Sequence, residues 1–437
     1  MAAPRSKVLV LNAGSSSLKF KVFQWLGAGA GAGASAAAAS AAASGVPELQ
    51  PVAAGLCERI GDPAGGAVMR ASAGPAGWRK GERIEQPMPD HGAALRLVAS
   101  FLAGSLGGAG GGSPFQQDVL AVGHRVVHGG GIAHSVLIDD AARDSLEEVS
   151  HLAPLHNPPS LHCIDAARRL FPDAPHVACF DTTFHKTMPP DAYTYALPAD
   201  LCREHSIRKY GFHGISYAYL TREAARMVGK PPEETNLIIC HLGAGSSMCA
   251  VQGGRSVDTS MGFTPLEGLV MGSRCGDIDP AIVPFLMKMR GLGADEVDTL
   301  MNRKSGFLGM AGSIDVRNIE DCALAGDEAC QLALAVFVRR VRKYLGAYLV
   351  HLGGRLDALV FSAGIGENGS MLRDMICADL AWAGIAGLDR AANDATIRGK
   401  AGEVQAAGSR AKVLVVPTDE QLEIALEALQ VVQAAVD

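Results

Sequence analysis

None of the ten cysteines is spaced as Cys-x-x-Cys, so neither a zinc knuckle nor a dithiol redox centre is indicated. There is no basic excess: 39 Lys and Arg stand against 45 Asp and Glu, for a formal net charge of -6. That balance gives no argument for nucleic acid as a partner, and no cationic amphipathic stretch argues for a membrane surface. No cleavable apolar segment separates Met1-Ala-Ala-Pro-Arg5 from the first strand-like run, so a cytoplasmic location is expected. Cys179, Cys240 and Cys249 lie inside apolar runs, where a reduced thiol behaves as a small hydrophobe. Charge is missing altogether from Leu26 to Val46, a length that would suit a membrane span. The same stretch lacks Leu, Ile and Phe beyond Leu26, and Gly and Ala alternate over 27–33. A flexible low-complexity insertion at 26–46 is therefore expected, with a short alanine helix over 34–43. Gly107 to Ser113 is a second loop of this kind.

What is present begins near the amino terminus. Val8-Leu-Val-Leu11 reads as an apolar strand, and Phe20 to Phe23 as another. Between them lies Asn12-Ala-Gly-Ser-Ser-Ser-Leu-Lys19, a turn with almost no side-chain bulk. Small residues let backbone N–H groups approach an anion closely, and Ser15, Ser16 and Ser17 add hydroxyl donors. Lys19 supplies a point charge, and Asn12 a neutral oxygen for a hard cation or its water. This is not the GxxxxGK[ST] loop, which opens a helix. An ordinary polar hairpin turn would have the same composition.

Further along, Leu237-Ile-Ile-Cys-His241-Leu242 is again an apolar strand, followed by Gly243-Ala-Gly-Ser-Ser247 and then Met248 to Val251. The tetrapeptide Ala-Gly-Ser-Ser stands at 13–16 and again at 244–247, each time between strand-like runs. The repeated context suggests two similar domains, each offering a phosphate-binding hairpin to a shared cleft. A third small-residue loop, Ser362 to Asn368, follows the apolar run Leu359-Val-Phe361. A glycine turn at the end of a buried strand is where nucleotides commonly sit in α/β proteins.

The length of 437 residues accommodates two domains. Strands are expected at 119–122, 177–180, 357–361 and 412–416, and helices at 92–103, 139–149, 214–228, 328–352 and 419–436. Such alternation argues an α/β fold. Thr418 and Gln421 form a capping-box pattern ahead of Leu422.

Ten segments then stand in a telling order: NAGSSSLKF (12–20), GHRVVHGG (123–130), LAPLHNPP (152–159), FDTTFH (180–185), RKYGFHGISY (208–217), HLGAGSS (241–247), MGFTPLEGLVMGSRCGDIDP (261–280), SIDVRNI (313–319), SAGIGEN (362–368) and PTDEQL (417–422). On these the chain resembles the acetate kinase family over nearly its whole length. The resemblance implies two duplicated actin-like ATPase (ribonuclease H-like) domains around a nucleotide cleft. The first would span 1–184 plus 418–437, the second 185–417. It further implies reversible transfer of the γ-phosphoryl group of ATP to acetate, giving acetyl phosphate and ADP. The cofactor would be Mg²⁺, with Mn²⁺ able to substitute, and the assembly a homodimer.

Residue by residue, the resemblance assigns Arg125 and Arg274 to the carboxylate and the transferring phosphoryl group, which guanidinium forks suit. His213 matches a transition-state stabiliser, an imidazole donor aimed at a phosphoryl oxygen. Asp181 matches the active-site aspartate; since acetate is already ionised, positioning Mg²⁺ or an arginine suits it better than proton removal. Asn12 and Glu420 match magnesium ligands. Lys19, Ser15 and Ser17 fall on the first hairpin. His241, Leu242, Gly243, Ala244 and Gly245, then Asp315, Val316 and Arg317, then Gly364, Ile365, Gly366, Glu367 and Asn368 match nucleotide-contacting segments. The family usually has Asn where Ala244 stands, which removes one side-chain amide from the phosphate cradle. Val127, Leu155, Phe212 and Pro265 fall on the small apolar acid pocket.

Two other readings stay open on the residues. One is a kinase for propionate or another short-chain acid, with the same mechanism and a changed pocket. The other is a nucleotide-switched binding protein, which would keep the phosphate hairpins but have no use for paired arginines on a carboxylate.

Overall fold

The computed structural model describes residues 5–27, 47–63, 66–73, 82–106, 115–154 and 156–435. Most of the expected insertion, the second Gly-rich loop and Leu155 lie outside the described residues. The chain divides into two compact units, Met1–Thr183 with Asp419–Asp437, and Phe184–Thr418.

The first unit is built on β1 (Lys7–Ala13), β2 (Ser17–Trp25), β3 (Leu49–Glu58), β4 (Val68–Ala73), β5 (Glu82–Glu85), β6 (Val119–Val126), β7 (Val136–Leu137) and β8 (His176–Phe180). They form one sheet in the order β5-β4-β3-β2-β1-β6-β8-β7. β1 pairs antiparallel with β2 and parallel with β6, and β6 parallel with β8. β1 and β8 are buried on both faces, so both alternating sets of side chains are apolar. Helices His91–Leu106 and Asn157–Leu170 cover one face through Leu95, Val98, Leu102, Cys163 and Ala167, packed with Leu9, Leu11 and Phe20. The C-terminal helix Glu420–Ala434 covers the other, against β1, β6 and β8. Gly123 permits that close approach: a Cβ there would stand 2.7 Å from Ile424 Cγ2 and 3.3 Å from its carbonyl oxygen.

The second unit repeats the plan. Its strands are β9 (Asn236–Leu242), β10 (Ser246–Gln252), β11 (Arg255–Thr259), β12 (Ala358–Ser362), β13 (Gly402–Glu403) and β14 (Lys412–Val415), in the order β11-β10-β9-β12-β14-β13. β11-β10-β9-β12-β14 matches β3-β2-β1-β6-β8 position for position: an antiparallel run of three, then two parallel neighbours. Helix Glu328–His351 buries Phe337, Val341 and Leu345 against one face, and helix Gly214–Val228 buries Tyr217, Leu220 and Ala224 against the other.

Three expectations need correcting. The repeated Ala-Gly-Ser-Ser is not structurally equivalent. The last paired residues of the leading strands are Ala13 and Leu242, so the second copy sits two residues later in its hairpin. Ser15 and Ser16 lie exposed in the first turn, whereas Ser246 and Ser247 begin β10 and are buried. The stretch after β12 is not a loop: Ala363–Asn368 is helical from its first residue, with Ala363 at φ +62° making the bend. The C-terminal helix is capped by Asp419, which accepts from Leu422 N at 3.0 Å, rather than by Thr418. A carboxylate at the N-cap answers both the free N–H groups and the helix dipole.

Candidate functional site

Register collects the first set of residues. Asn12 lies opposite Lys19 across β1 and β2, so both side chains share a face. Arg125 lies opposite Cys179 across β6 and β8. Asp181, two residues on, returns to the same face, which is the face that receives the C-terminal helix. Asn12, Arg125 and Asp181 thus emerge at the carboxyl ends of neighbouring parallel strands, beside the first turn of the helix that carries Glu420. Arg125 forks onto Asp181, with Nε to Oδ1 at 3.0 Å and Nη2 to Oδ2 at 2.6 Å, while Nη1 reaches Asn12 Oδ1 at 3.4 Å. Burial opposes the guanidinium charge, but the carboxylates of Asp181 and Glu420 outweigh it and hold Arg125 ionised beyond its ordinary range. Glu420 is half-buried and, among the described residues, makes no hydrogen bond or close ion pair. Lys19, Ser15 and Ser16 are exposed at the hairpin tip, where Gly14 N donates to Ser17 O at 2.8 Å. Lys21, one step along the same face, is engaged with Asp419 at 2.5 Å.

In the second unit the hairpin turn 243–245 is the hub. A Cβ added at either of its two glycines, or at Gly272, would meet the neighbouring motifs. On Gly243 it would lie 3.5 Å from Ala363 Cβ and 3.9 Å from Gly364 N, beside the third motif. The Ala244 carbonyl accepts from Gly272 N at 3.1 Å, and a Cβ on Gly272 would touch Ile314 at 3.6 Å, next to Asp315. On Gly245 it would lie 3.6 Å from His213 Nε2 and 3.7 Å from Arg274 Nη1. One three-residue turn therefore borders three of the motif segments, and Gly272 brings in a fourth.

His213 is the N-cap of helix Gly214–Val228 and adopts φ +59°, the left-handed region, which is uncommon for a residue with a side chain. Its Nδ1 meets Ser247 Oγ at 2.8 Å, and its ring stacks on His241 with centroids 4.2 Å apart. His241 Nδ1 in turn meets Ser216 Oγ at 2.9 Å. Arg274 donates from Nη1 to Pro265 O at 3.1 Å. Burial pulls its charge preference down, and among the described residues it has no ion-paired carboxylate. Its loop is tightly walled: Gly306, at φ +61°, could carry no side chain, because a Cβ would lie 2.2 Å from Met271 O and 2.6 Å from Arg274 O.

The remaining residues fall as follows. Asp315 caps helix Val316–Leu324 through Arg317 N at 3.0 Å and also pairs with the Arg317 guanidinium at 2.7 Å. Those hydrogen bonds hold its carboxyl below the usual range. Glu367 is pushed up by burial and accepts from Thr418 N at 3.3 Å. Asn368 bonds Gly364 O at 2.8 Å and Arg398 N at 2.9 Å. Gly366 is held by the buried Arg373, which donates to its carbonyl at 2.8 Å. Val127 and Phe212 are buried, and Pro265 is half-buried. Among the described residues no cluster of three or more His, Cys, Asp or Glu is placed to hold a metal, and no helix is long and apolar enough to cross a membrane.

The model of the acetokinase family matches residues 7–426. The chain belongs to the acetokinase family. It is similar to the acetate kinase of Clavibacter michiganensis subsp. michiganensis, at 46% identity over 97% of this chain and 98% of that one. It is equally similar to the acetate kinase of Moorella thermoacetica, at 46% identity over 98% and 100%. Among solved structures, Porphyromonas gingivalis acetate kinase superimposes with a TM-score of 0.84 at 38% identity, covering 98% of this chain and 99% of that one. A propionate kinase from Francisella tularensis gives 0.83 at 34%, covering 97% and 99%. The chain is therefore a phosphotransferase of the acetokinase family with the actin-like fold of these kinases.

Sequence reasoning left two residues linked to His213 unremarked, Ser247, which meets its Nδ1, and Tyr217, which meets Ser247. Both lay inside quoted motifs. Tyr217 lies in the first turn of helix Gly214–Val228, and its N–H donates to the carbonyl of the N-cap His213 at 2.9 Å.

Proposed function

We propose that this kinase transfers the γ-phosphoryl group of ATP reversibly to acetate, giving acetyl phosphate and ADP. The observation that carries the reading is the convergence of His213 Nε2 and Arg274 Nη1 beside Gly245, with Arg274 lacking any acidic partner among the described residues. A partly buried guanidinium held ready for charge that arrives with the substrate suits an anion clamp. The nucleophile is a carboxylate already ionised near neutral pH, at a pKa of roughly 4, so the chemistry needs no strong base. It needs two anions brought together and the transferring group's charge neutralised. Arg125, aimed by Asp181, serves the acid carboxylate; Arg274 and His213 serve the phosphoryl oxygens. The backbone of 243–245, Lys19, Ser15 and Ser17 serve the phosphates, and the 315–317 and 364–368 segments the nucleoside.

The oxygens of Asn12 and Glu420 fit a hard divalent cation, because Glu420 is a half-buried carboxylate with no other close partner among the described residues. Bound Mg²⁺, or Mn²⁺ on the same oxygens, would offset the charge of the β- and γ-phosphates. Val127, 7% exposed, restricts the acid pocket, so propionate is proposed as a slower substrate. A homodimer is supported by helix Ile282–Arg290, which buries no residue and exposes Phe285 at 59% and Met289 at 67%. Ten free thiols fit a reducing cytoplasm.

The test is a hydroxamate assay with MgATP and acetate, propionate or butyrate. Acetate should give the highest kcat/KM. Arg274→Ala should lower it by about 10³-fold, roughly 4 kcal/mol of transition-state stabilisation, without loss of folding. Failure of acetate to turn over, or near wild-type turnover in the variant, overturns the reading.

A further inference from the structure

We infer that Tyr217 and Ser247 are positioning residues that lock His213 as a neutral imidazole with its proton on Nε2, the nitrogen turned toward Gly245 and Arg274. The inference rests on the reading of His213 as a donor to the phosphoryl group. Ser247 Oγ lies 2.8 Å from His213 Nδ1 and 2.5 Å from Tyr217 Oη. Ser247 and Tyr217 are both fully buried. Tyr217 is buried in an apolar cluster and held protonated, chiefly by that burial. Its phenol proton needs an acceptor, because a buried donor left unmade costs about 1–3 kcal/mol. The side-chain oxygen within reach is Ser247 Oγ.

The direction of the whole chain follows. Tyr217 donates to Ser247, so the single Ser247 proton points away from the phenol, along the other contact, to His213 Nδ1. Nδ1 accepts, and the imidazole proton sits on Nε2. In the opposite tautomer, or in an imidazolium, Ser247 Oγ would accept from both His213 Nδ1 and Tyr217 Oη, and its own buried proton would find neither of them as acceptor. The left-handed backbone at His213 and the stacked ring of His241 fix the ring's plane. The hydroxyl chain fixes which nitrogen donates. A neutral N–H donor aimed at a developing negative charge gains its strength in the transition state rather than by binding the substrate equally well.

The experiment uses the full chain labelled with ¹⁵N-histidine, without substrate, with the His213 signal assigned by its loss in His213→Gln. The expected spectrum shows His213 with a bare Nδ1 and a protonated Nε2 at neutral pH. In Ser247→Ala and Tyr217→Phe the signal should move toward a mixture of tautomers. In both, kcat should fall by about tenfold while the KM values for ATP and acetate stay within about twofold. A proton on Nδ1 in the wild type overturns the inference, and so does unchanged kcat in variants whose tautomer has shifted. Should either variant fail to fold, the wild-type spectrum still decides. The spectrum needs no turnover, so an inactive enzyme would refute the proposed reaction and leave the tautomer measured.

Discussion

Asp181→Asn separates an anchoring carboxylate from a proton carrier. The Asp181 side chain is 3% exposed and that of Arg125 22%, and they meet through a fork of 3.0 and 2.6 Å. Asparagine keeps the volume and one acceptor oxygen. It places an NH₂ against the other guanidinium nitrogen and removes the counter-charge. Breaking a buried pair costs about 3–5 kcal/mol, and the residual exposure of Arg125, with Glu420 still beside it, puts this case near the lower end, about 3 kcal/mol. Urea melts should report that loss. The kinetic loss should be about 10²–10³ in kcat/KM, the scale of one misplaced charge-stabilising group.

The pH dependence gives the sharper test. Arg125 is raised above its ordinary value when folded, so the stabilisation from its charge is complete at all pH values below that ordinary value. It would fade only as pH rose through the folded value, far above the working range. The rate deficit of Asp181→Asn should therefore be flat from about pH 6 to 9 in steady-state assays. A wild-type rate that rises with the deprotonation of an essential group, with that limb missing in the variant, would refute the anchor and make Asp181 a proton carrier.

Val127→Ala should raise the propionate-to-acetate ratio of kcat/KM by roughly tenfold, about one methylene of contact; an unchanged ratio removes Val127 from the pocket. Replacing residues 28–46 with a short turn should leave activity intact and stability within about 1 kcal/mol. The flanks are already closed, by Trp25 paired with Leu49 and Leu26 N donating to Glu48 O at 3.2 Å; insoluble or inactive protein would refute this. The buried His124–His176 pair, 3.0 Å between Nε2 and Nδ1, should make the fold acid-sensitive. Burial lowers His176 to about 4 and His124 well below 6.5, so the unfolded chain binds more protons between those values and stability falls as pH drops through that window. The slope should be about 1.4 kcal/mol per pH unit for each histidine, and a flat urea midpoint between about pH 6.5 and 4.5 would refute it.

The alternation of strands and helices was legible because the buried strands are short apolar runs and the helices long and periodic. The third motif was misread because Ala-Gly-Ile-Gly-Glu-Asn has no local preference strong enough to betray a helix. What makes the bend is Ala363 in the left-handed region, a price set by the strand before it. The repeated tetrapeptide pointed to a true duplication through a false alignment. Small residues recur in any tight turn, and only strand pairing distinguishes Gly14 opposite an exposed serine turn from Gly243 ahead of buried serines.

Motifs named the candidate groups of the site, and the structure supplies the groups that position them. Arg125 and Asp181 are joined by the β6–β8 register, which no spacing in the chain encodes. The charge of Glu420 is felt by Arg125 because Gly123 lets the C-terminal helix settle onto β6 at Ile424. A bulkier residue at 123 would therefore act on Glu420 without touching it. Arg274 is carried by a loop hydrogen-bonded to the hairpin turn itself, from Gly272 N to Ala244 O, so the loop is tied directly to the turn. That bond runs through the Ala244 main chain while its side chain is exposed. The side chain at 244 is therefore free to vary without disturbing the main-chain bond that ties the loop to the turn.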